Sequence, residues 1–225
     1  MSRVVTADPR APQPLAILGG TFDPVHHGHL RAAWEAAEAL HAEVRLLPAR
    51  TPPHRPQPVA GAAQRVAMLR AALAGQSRLG LDLRELERDG PSYSIDTLES
   101  LRGEIGAQRP LILLLGQDAF AGLSTWRRWT ELFDFAHLVV LTRPASLPAW
   151  PGPLQQQWQQ RLVAAPGALC LAPAGRALAL RVSALEISAS QVRALLAAGR
   201  EPRYLLPEAL LSDPALLAPY RAPRA

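Results

Sequence analysis

The residues best equipped for chemistry stand together near the start of the chain. They read Gly19-Gly20-Thr21-Phe22-Asp23-Pro24-Val25-His26-His27-Gly28-His29 and follow the apolar run Leu15-Ala16-Ile17-Leu18 directly. A strand that stops at two glycines and leads into a helix start brings backbone N–H groups and imidazoles to the positive end of a helix, which suits phosphate. Gly19 and Gly20 lack Cβ, so an anion can approach the main chain there. His26 and His29 are three apart and share a face if the first helical turn includes them. Late in the chain, Ile187-Ser188-Ala189-Ser190-Gln191-Val192-Arg193 offers a second candidate. Ser188 is suited to cap a helix. The hydroxyls and free N–H groups of that turn can hold phosphate oxygens, and Arg193 one turn on adds a forked donor.

Other phosphate chemistries are excluded. No Gly-x-Gly-x-x-Gly follows the strand, and no Gly-Lys-Ser/Thr can exist, because all 24 basic residues are Arg. A chain without Lys has neither a Schiff-base residue nor a P-loop lysine. Zinc is disfavoured. His26 and His29 could ligate it, but the single cysteine, Cys170, is distant in sequence and no His-Glu-x-x-His occurs. The same cysteine count allows no internal disulfide, consistent with a reducing cytoplasm.

Three further segments carry polar side chains on turns. Thr51-Pro52-Pro53-His54-Arg55 is a proline-stiffened loop that can aim His54 and Arg55 at a phosphate. Asp118, after Leu111–Gly116, can accept hydrogen bonds from ribose hydroxyls. Thr142-Arg143-Pro144 follows another apolar run and makes Arg143 a weaker phosphate candidate.

The elements that must position these residues alternate in type. Strands are expected at 15–19, 44–47, 79–83, 111–115 and 138–141, with short ones at 168–172 and 178–182. Helices are expected near 28–41, 64–73, 95–105 and 154–163, a helical segment across 117–135, and short helices from 188 onward. Leu111–Leu115 is continuously apolar, as strands buried on both faces of a parallel sheet are. Strand–helix alternation implies right-handed crossovers and a doubly wound α/β sheet, with ligands beyond the carboxyl ends of the strands at a switch in strand order. Gly19-Gly20 and Gly116-Gln117-Asp118 both belong at such ends. We expect a flexible tail over 1–13 and a single domain over 14–225, with a C-terminal helical segment at 188–225.

The net charge of +5 and pI near 10.5 favour anionic partners, a small nucleotide as well as nucleic acid, and the scatter of the arginines argues against a nucleic-acid tail. The longest aliphatic run falls far short of the ~20 residues of a membrane span. Oligomeric state is left open.

Gly-Thr-Phe-Asp-Pro-Val-His-x-Gly-His, at 20–29, resembles the signature of the (H/T)xGH nucleotidyltransferases, which transfer a nucleotidyl group from a nucleoside triphosphate and release pyrophosphate. The segment 187–193 is similar to that superfamily's Ile-Ser-Ser/Ala-Thr-x-Ile-Arg, with Ser190 where Thr is usual. Pro52-Pro53-His54-Arg55 is similar to its Pro-Pro-His-Lys. Ser92-Tyr93-Ser94-Ile95-Asp96-Thr97-Leu98 resembles the acceptor segment of the nicotinate-nucleotide adenylyltransferase branch, as does Gly116-Gln117-Asp118 with Leu123 and Trp126. Tyr204-Leu205-Leu206-Pro207 resembles that branch's tail and reads as packing.

The resemblance implies a Rossmann-like nucleotidyltransferase fold and transfer of AMP from ATP, with Mg2+ on the triphosphate, to nicotinate mononucleotide. It implies catalytic roles for His26, His29 and Arg193. ATP contacts would come from Gly19, Gly20, Thr21, Phe22, His26, His29, Gly116, Asp118, Ile187, Ser188 and Arg193. Acceptor contacts would come from His54, Arg55, Ser94, Trp126 and Arg143, with Trp126 rather than Trp129 against the pyridine ring. No protein-held metal site is implied.

Overall fold

The computed structural model describes residues 12–51, 56–142, 150, 152–183 and 185–221. The expectation of a flexible tail at 1–13 falls almost wholly outside them, as do His54, Arg55 and Arg143. Six strands form one sheet: β1 (Leu15–Gly20), β2 (Glu43–Pro48), β3 (Leu79–Leu81), β4 (Leu111–Gly116), β5 (His137–Thr142) and β6 (Ala177–Arg181). Their order is β3-β2-β1-β4-β5-β6 and every pairing is parallel. This is the strand order of the Rossmann sheet, whose switch point falls between β1 and β4.

Helices cover both faces: α1 (His27–Leu40), α2 (Ala62–Leu73), α3 (Arg84–Glu87), α4 (Ser94–Ile105), α5 (Gln117–Ala121), α6 (Leu132–Phe135), α7 (Gly152–Arg161), α8 (Ala189–Ala197) and α9 (Glu208–Leu211). Sheet residues split by parity. Ala16, Leu18, Ile112 and Leu114 face one core with Ala33, Ala36, Ala37 and Leu40 of α1 and Val192 and Leu196 of α8. Leu15, Ile17, Leu111 and Leu113 face the other with Ile95, Leu98 and Leu101 of α4. The period-2 alternation of side chains turns each continuous apolar strand into two buried faces.

The crevice between β1 and β4 has a simple origin. Their pairing runs from Leu15↔Leu111 to Leu18↔Leu114 and stops there. β1 stays paired with β2 as far as Gly20↔Pro48, and β4 with β5 as far as Gly116↔Leu141. Gly19-Gly20 and Gly116 thus leave the shared ladder on opposite sides of one opening.

Three expectations need correction. Residues 168–172 do not form a strand; Pro166–Leu171 is a 3-10 helix in which only Leu169 is buried and Leu171 is 62% exposed. The parallel bridge beside the start of β6 comes from Leu162 instead. A short apolar run beginning Pro-Gly has no feature that separates a strand from a tight turn. The segment 117–135 is not one helix but α5, two 3-10 turns (Leu123–Thr125 and Trp129–Glu131) and α6, broken around Gly122 and at Arg128, whose φ is 52°. The third strand ends at Leu81, because Asp82 folds back to accept hydrogen bonds from the backbone N and the guanidinium of Arg84 and so starts α3.

Candidate active site

The signature loop is packed from within before any ligand is considered. Phe22 is 1% exposed and sits at φ 51°, a left-handed conformation that costs a non-glycine residue free energy and persists where surroundings enforce it. Its ring lies against Gly20, where an added Cβ would be 3.0 Å from it, and edge-on to His29 at a centroid distance of 5.1 Å. Gly20 therefore makes room for Phe22. At Gly19 an added Cβ would meet no described atom within 4 Å, so the open approach lies there.

His26 caps α1 by position, in an extended conformation and without a side-chain cap bond. Its ring stacks on His29, centroids 3.7 Å apart and 24° from parallel. Gly28 permits this packing, because a Cβ there would fall 3.0 Å from His26 Nδ1 and 3.5 Å from the carbonyl of Ile187. His26 is 5% exposed, and its Nδ1 has no hydrogen-bond partner among the described residues. Burial, with His27 adding repulsion, pulls its pKa down to about 4, so near neutral pH the imidazole is uncharged. The start of α1 is less open than its sequence implies. His27 N–H donates to Leu205 O at 3.0 Å, and His29 and Leu30 N–H both donate to His26 O. Anion binding at this turn thus leans on imidazole donors and the Gly19–Thr21 main chain.

The late turn comes to the early one. Ser188 caps α8, its Oγ accepting from Gln191 N at 3.1 Å, which leaves its O–H to donate elsewhere. Arg193 Nη1 donates to the main-chain oxygen of Asp23 at 2.7 Å, and Nη2 to Ser190 Oγ at 3.4 Å. Ile187 and Gly28 are in near contact, as given above. His26 and His29 on the early turn and Ser188 and Arg193 on the late one therefore lie on adjoining turns beyond the end of β1. Across the opening, Gly116 ends β4 and Asp118 is exposed in the first turn of α5.

The sequence profile of the cytidylyltransferase-like family matches residues 17–195. A relative from Pseudomonas aeruginosa named "Probable nicotinate-nucleotide adenylyltransferase" is 50% identical over 210 residues, 93% of this chain and 98% of the relative. A protein of the same name from Pseudomonas syringae is 48% identical over 213 residues, 94% of this chain and 96% of its own. The chain belongs to the nicotinate-nucleotide adenylyltransferase branch of the cytidylyltransferase-like family. The fold agrees. The nicotinic acid mononucleotide adenylyltransferase of Plasmodium falciparum, solved in complex with NaAD, superposes with a TM-score of 0.66 at 14% identity, covering 93% of this chain and 96% of that one.

The segment 92–98, which resembles the branch's acceptor segment, lies beside the loop that follows β2. Ser92 N–H donates to Thr51 O at 3.1 Å, and Ser92 Oγ accepts from Arg50 N at 2.9 Å. Ser94 is the first residue of α4 and Tyr93 its cap. Glu85 lies buried beneath, accepting from Thr97 Oγ1 at 2.7 Å, and burial raises its carboxyl pKa. Trp126 is half-buried against the core on the α4 face. The next residue, Arg127, lies 4.9 Å over the Tyr93 ring and 3.6 Å from Asp96, which ties the Trp126 turn to the Ser94 segment. Trp129 is half-buried against the same core.

Sequence reading missed the buried scaffold behind the histidine turn. Asp23, 5% exposed, accepts from Val59 N at 2.8 Å, from Ala60 N at 2.9 Å and from the Tyr220 hydroxyl at 2.7 Å. Arg65, 1% exposed, donates to Thr21 O at 2.8 Å. The Asp23–Tyr220 pair spans 197 residues, and no local pattern signals it.

Proposed function

We propose that this chain transfers AMP from ATP to the 5′-phosphate of nicotinate mononucleotide, giving nicotinate adenine dinucleotide and pyrophosphate. The observation that carries this reading is the meeting of the histidine turn and the serine–arginine turn at the β1/β4 opening, in a chain half-identical to enzymes named for that reaction.

In this reading an oxygen of the acceptor phosphate, already ionised near neutral pH, attacks the α-phosphorus of ATP. The new P–O bond forms as the bond to the β-phosphate oxygen breaks, and pyrophosphate carries the electron pair away. No covalent enzyme intermediate is required. The chain contributes alignment and countercharge at the α-phosphate. We assign His26 and His29 to donate to phosphate oxygens, Ser188 and Arg193 to close on the triphosphate, and the Gly19–Thr21 main chain to let it approach. His26, uncharged without ligand, acts as a hydrogen-bond donor whose proton affinity rises when a polyphosphate lies against it. Asp118 takes ribose hydroxyls, Ser94 the pyridine carboxylate and Trp126 the pyridine ring. His54, Arg55 and Arg143 are assigned to the acceptor phosphate on sequence alone.

Mg2+ enters with ATP and supplies further countercharge. Among the described residues no three His, Cys, Asp or Glu side chains come together. No helix of the described residues is long and apolar enough to cross a membrane. A single domain from residue 14, a cytoplasmic location, and small molecules rather than nucleic acid as partners complete the proposal.

The test supplies ATP and Mg2+ with nicotinate mononucleotide, nicotinamide mononucleotide or phosphopantetheine in turn and measures pyrophosphate. Release with nicotinate mononucleotide, alongside the dinucleotide, is expected. Release that depends on phosphopantetheine alone would overturn the acceptor assignment.

A further inference from the structure

The last turn of the described chain reaches back to the loop that carries the histidines. Ala218–Tyr220 is a 3-10 turn, and Tyr220 is 4% exposed with its hydroxyl on Asp23 Oδ1. Two other contacts hold the same C-terminal stretch in place: Leu205 O accepts from His27 N, and Gln64 Nε2 donates to the carbonyls of Ala215 and Leu216, both at 2.8 Å. Nothing in the proposed chemistry uses Tyr220.

We infer that Tyr220 is a positioning residue for the triphosphate site, acting by limiting the pull of Asp23 on Arg193. Arg193 Nη1 is bonded to the main-chain oxygen of Asp23 at 2.7 Å but stands 3.7 Å from its carboxylate Oδ2, too long for a direct ion-pair hydrogen bond. The carboxylate already has donors in Val59 N–H, Ala60 N–H and the Tyr220 hydroxyl, with buried Arg65 as its second neighbouring cation. A carboxylate so satisfied has less need of a closer guanidinium. Arg193, about one third exposed, stays at the cleft with donor capacity to spare. Burial and the adjacent Asp23 hold the phenol pKa well above its ordinary value, so Tyr220 keeps the proton it donates.

Loss of the hydroxyl leaves Asp23 Oδ1 with Ala60 N–H as its remaining donor in a buried setting, and Arg193, already bonded to the Asp23 main chain and 3.7 Å from Oδ2, is placed to move onto the carboxylate. The guanidinium then closes on the carboxylate and leaves the phosphate position. This rests on the triphosphate reading of the cleft but not on the identity of the acceptor. The experiment therefore uses a non-hydrolysable ATP analogue, with binding measured by calorimetry on the full-length protein below its melting transition. Y220F is expected to bind the analogue about three- to tenfold more weakly than wild type. In an R193Q background the same substitution is expected to have no further effect, because its route to the ligand is gone. An unchanged affinity in Y220F, or an equal loss with and without Arg193, overturns the inference. A second readout needs no nucleotide: labelling of Arg193 by phenylglyoxal should slow severalfold in Y220F, and equal or faster labelling contradicts the account. Wild-type protein that fails to bind the analogue would sink the triphosphate reading, and the labelling result would still decide the role of Tyr220.

Discussion

The two sides of the proposed site are built differently. The triphosphate side is fixed from within by Asp23, His26, Phe22 and Arg65, all buried, and by main-chain contacts from the C-terminal stretch. The acceptor side has a buried pair, Glu85 and Thr97, under a rim of arginine pairs. Arg127 reaches Tyr93 and Asp96, and Arg128 reaches Glu99 and Glu131, with roughly half of the Arg127 side chain in solvent. Buried hydrogen-bonded groups are costly to disturb, whereas exposed ion pairs contribute little and are easily exchanged. The difference suits the task. In the proposed reaction, charge alignment at the α-phosphate calls for a rigid frame.

Substitutions on the two sides should separate in size. Asp23→Ala strips a buried carboxylate from two main-chain N–H groups, Tyr220 and two arginines, and should cost on the order of 3–5 kcal/mol of stability. Chemical denaturation checks it, and a loss below about 1 kcal/mol would break the claim of a rigid frame. His29→Ala should keep the fold and the acceptor KM while lowering turnover about 100- to 1000-fold, the range for one donor at a developing oxyanion. Wild-type turnover in that variant removes His29 from the mechanism.

The acid limb of stability sharpens the same contrast. His26 has a folded pKa of about 4 against 6.5 in the unfolded chain. Its contribution is complete above about pH 6.5. It is lost as pH falls toward 4, because the unfolded chain takes up a proton that the folded one refuses. The loss is on the order of 3 kcal/mol over that window. His137, also buried and also lowered, acts in the same direction. Denaturation curves between pH 7.5 and 4.5 should therefore fall less steeply in His26→Gln than in wild type, and parallel curves would contradict the burial argument. The smallest effect belongs to the acceptor side. Trp126→Ala should raise the KM for the pyridine substrate about 2- to 10-fold with little change in stability, and an unchanged KM assigns Trp126 to packing.

Much of this molecule was legible in the sequence because its strands are short, apolar and parallel. Leu111–Leu115 and Leu138–Leu141 read as buried strands and are. Ser188 was expected to cap a helix and does so through Gln191 N. The late turn was expected to join the histidine turn on the strength of the resemblance, and Gly28 against Ile187 O is that junction. What could not be read depends on long-range pairing. Nothing around Asp23 announces Tyr220, and nothing around Ser92 announces that its hydroxyl serves Arg50 N rather than a helix cap. The α1 terminus also misled, because Leu205, from the far end of the chain, takes the His27 N–H that local reasoning leaves free for phosphate.

The central claim is that one triphosphate bridges the two turns. Its most direct measurement is the affinity of a non-hydrolysable ATP analogue for wild type, His29→Ala and Arg193→Gln under the same salt and Mg2+. Each variant should bind about tenfold more weakly while melting at the wild-type temperature. Wild-type affinity in either variant would mean that the two turns, though adjacent, do not hold the same ligand.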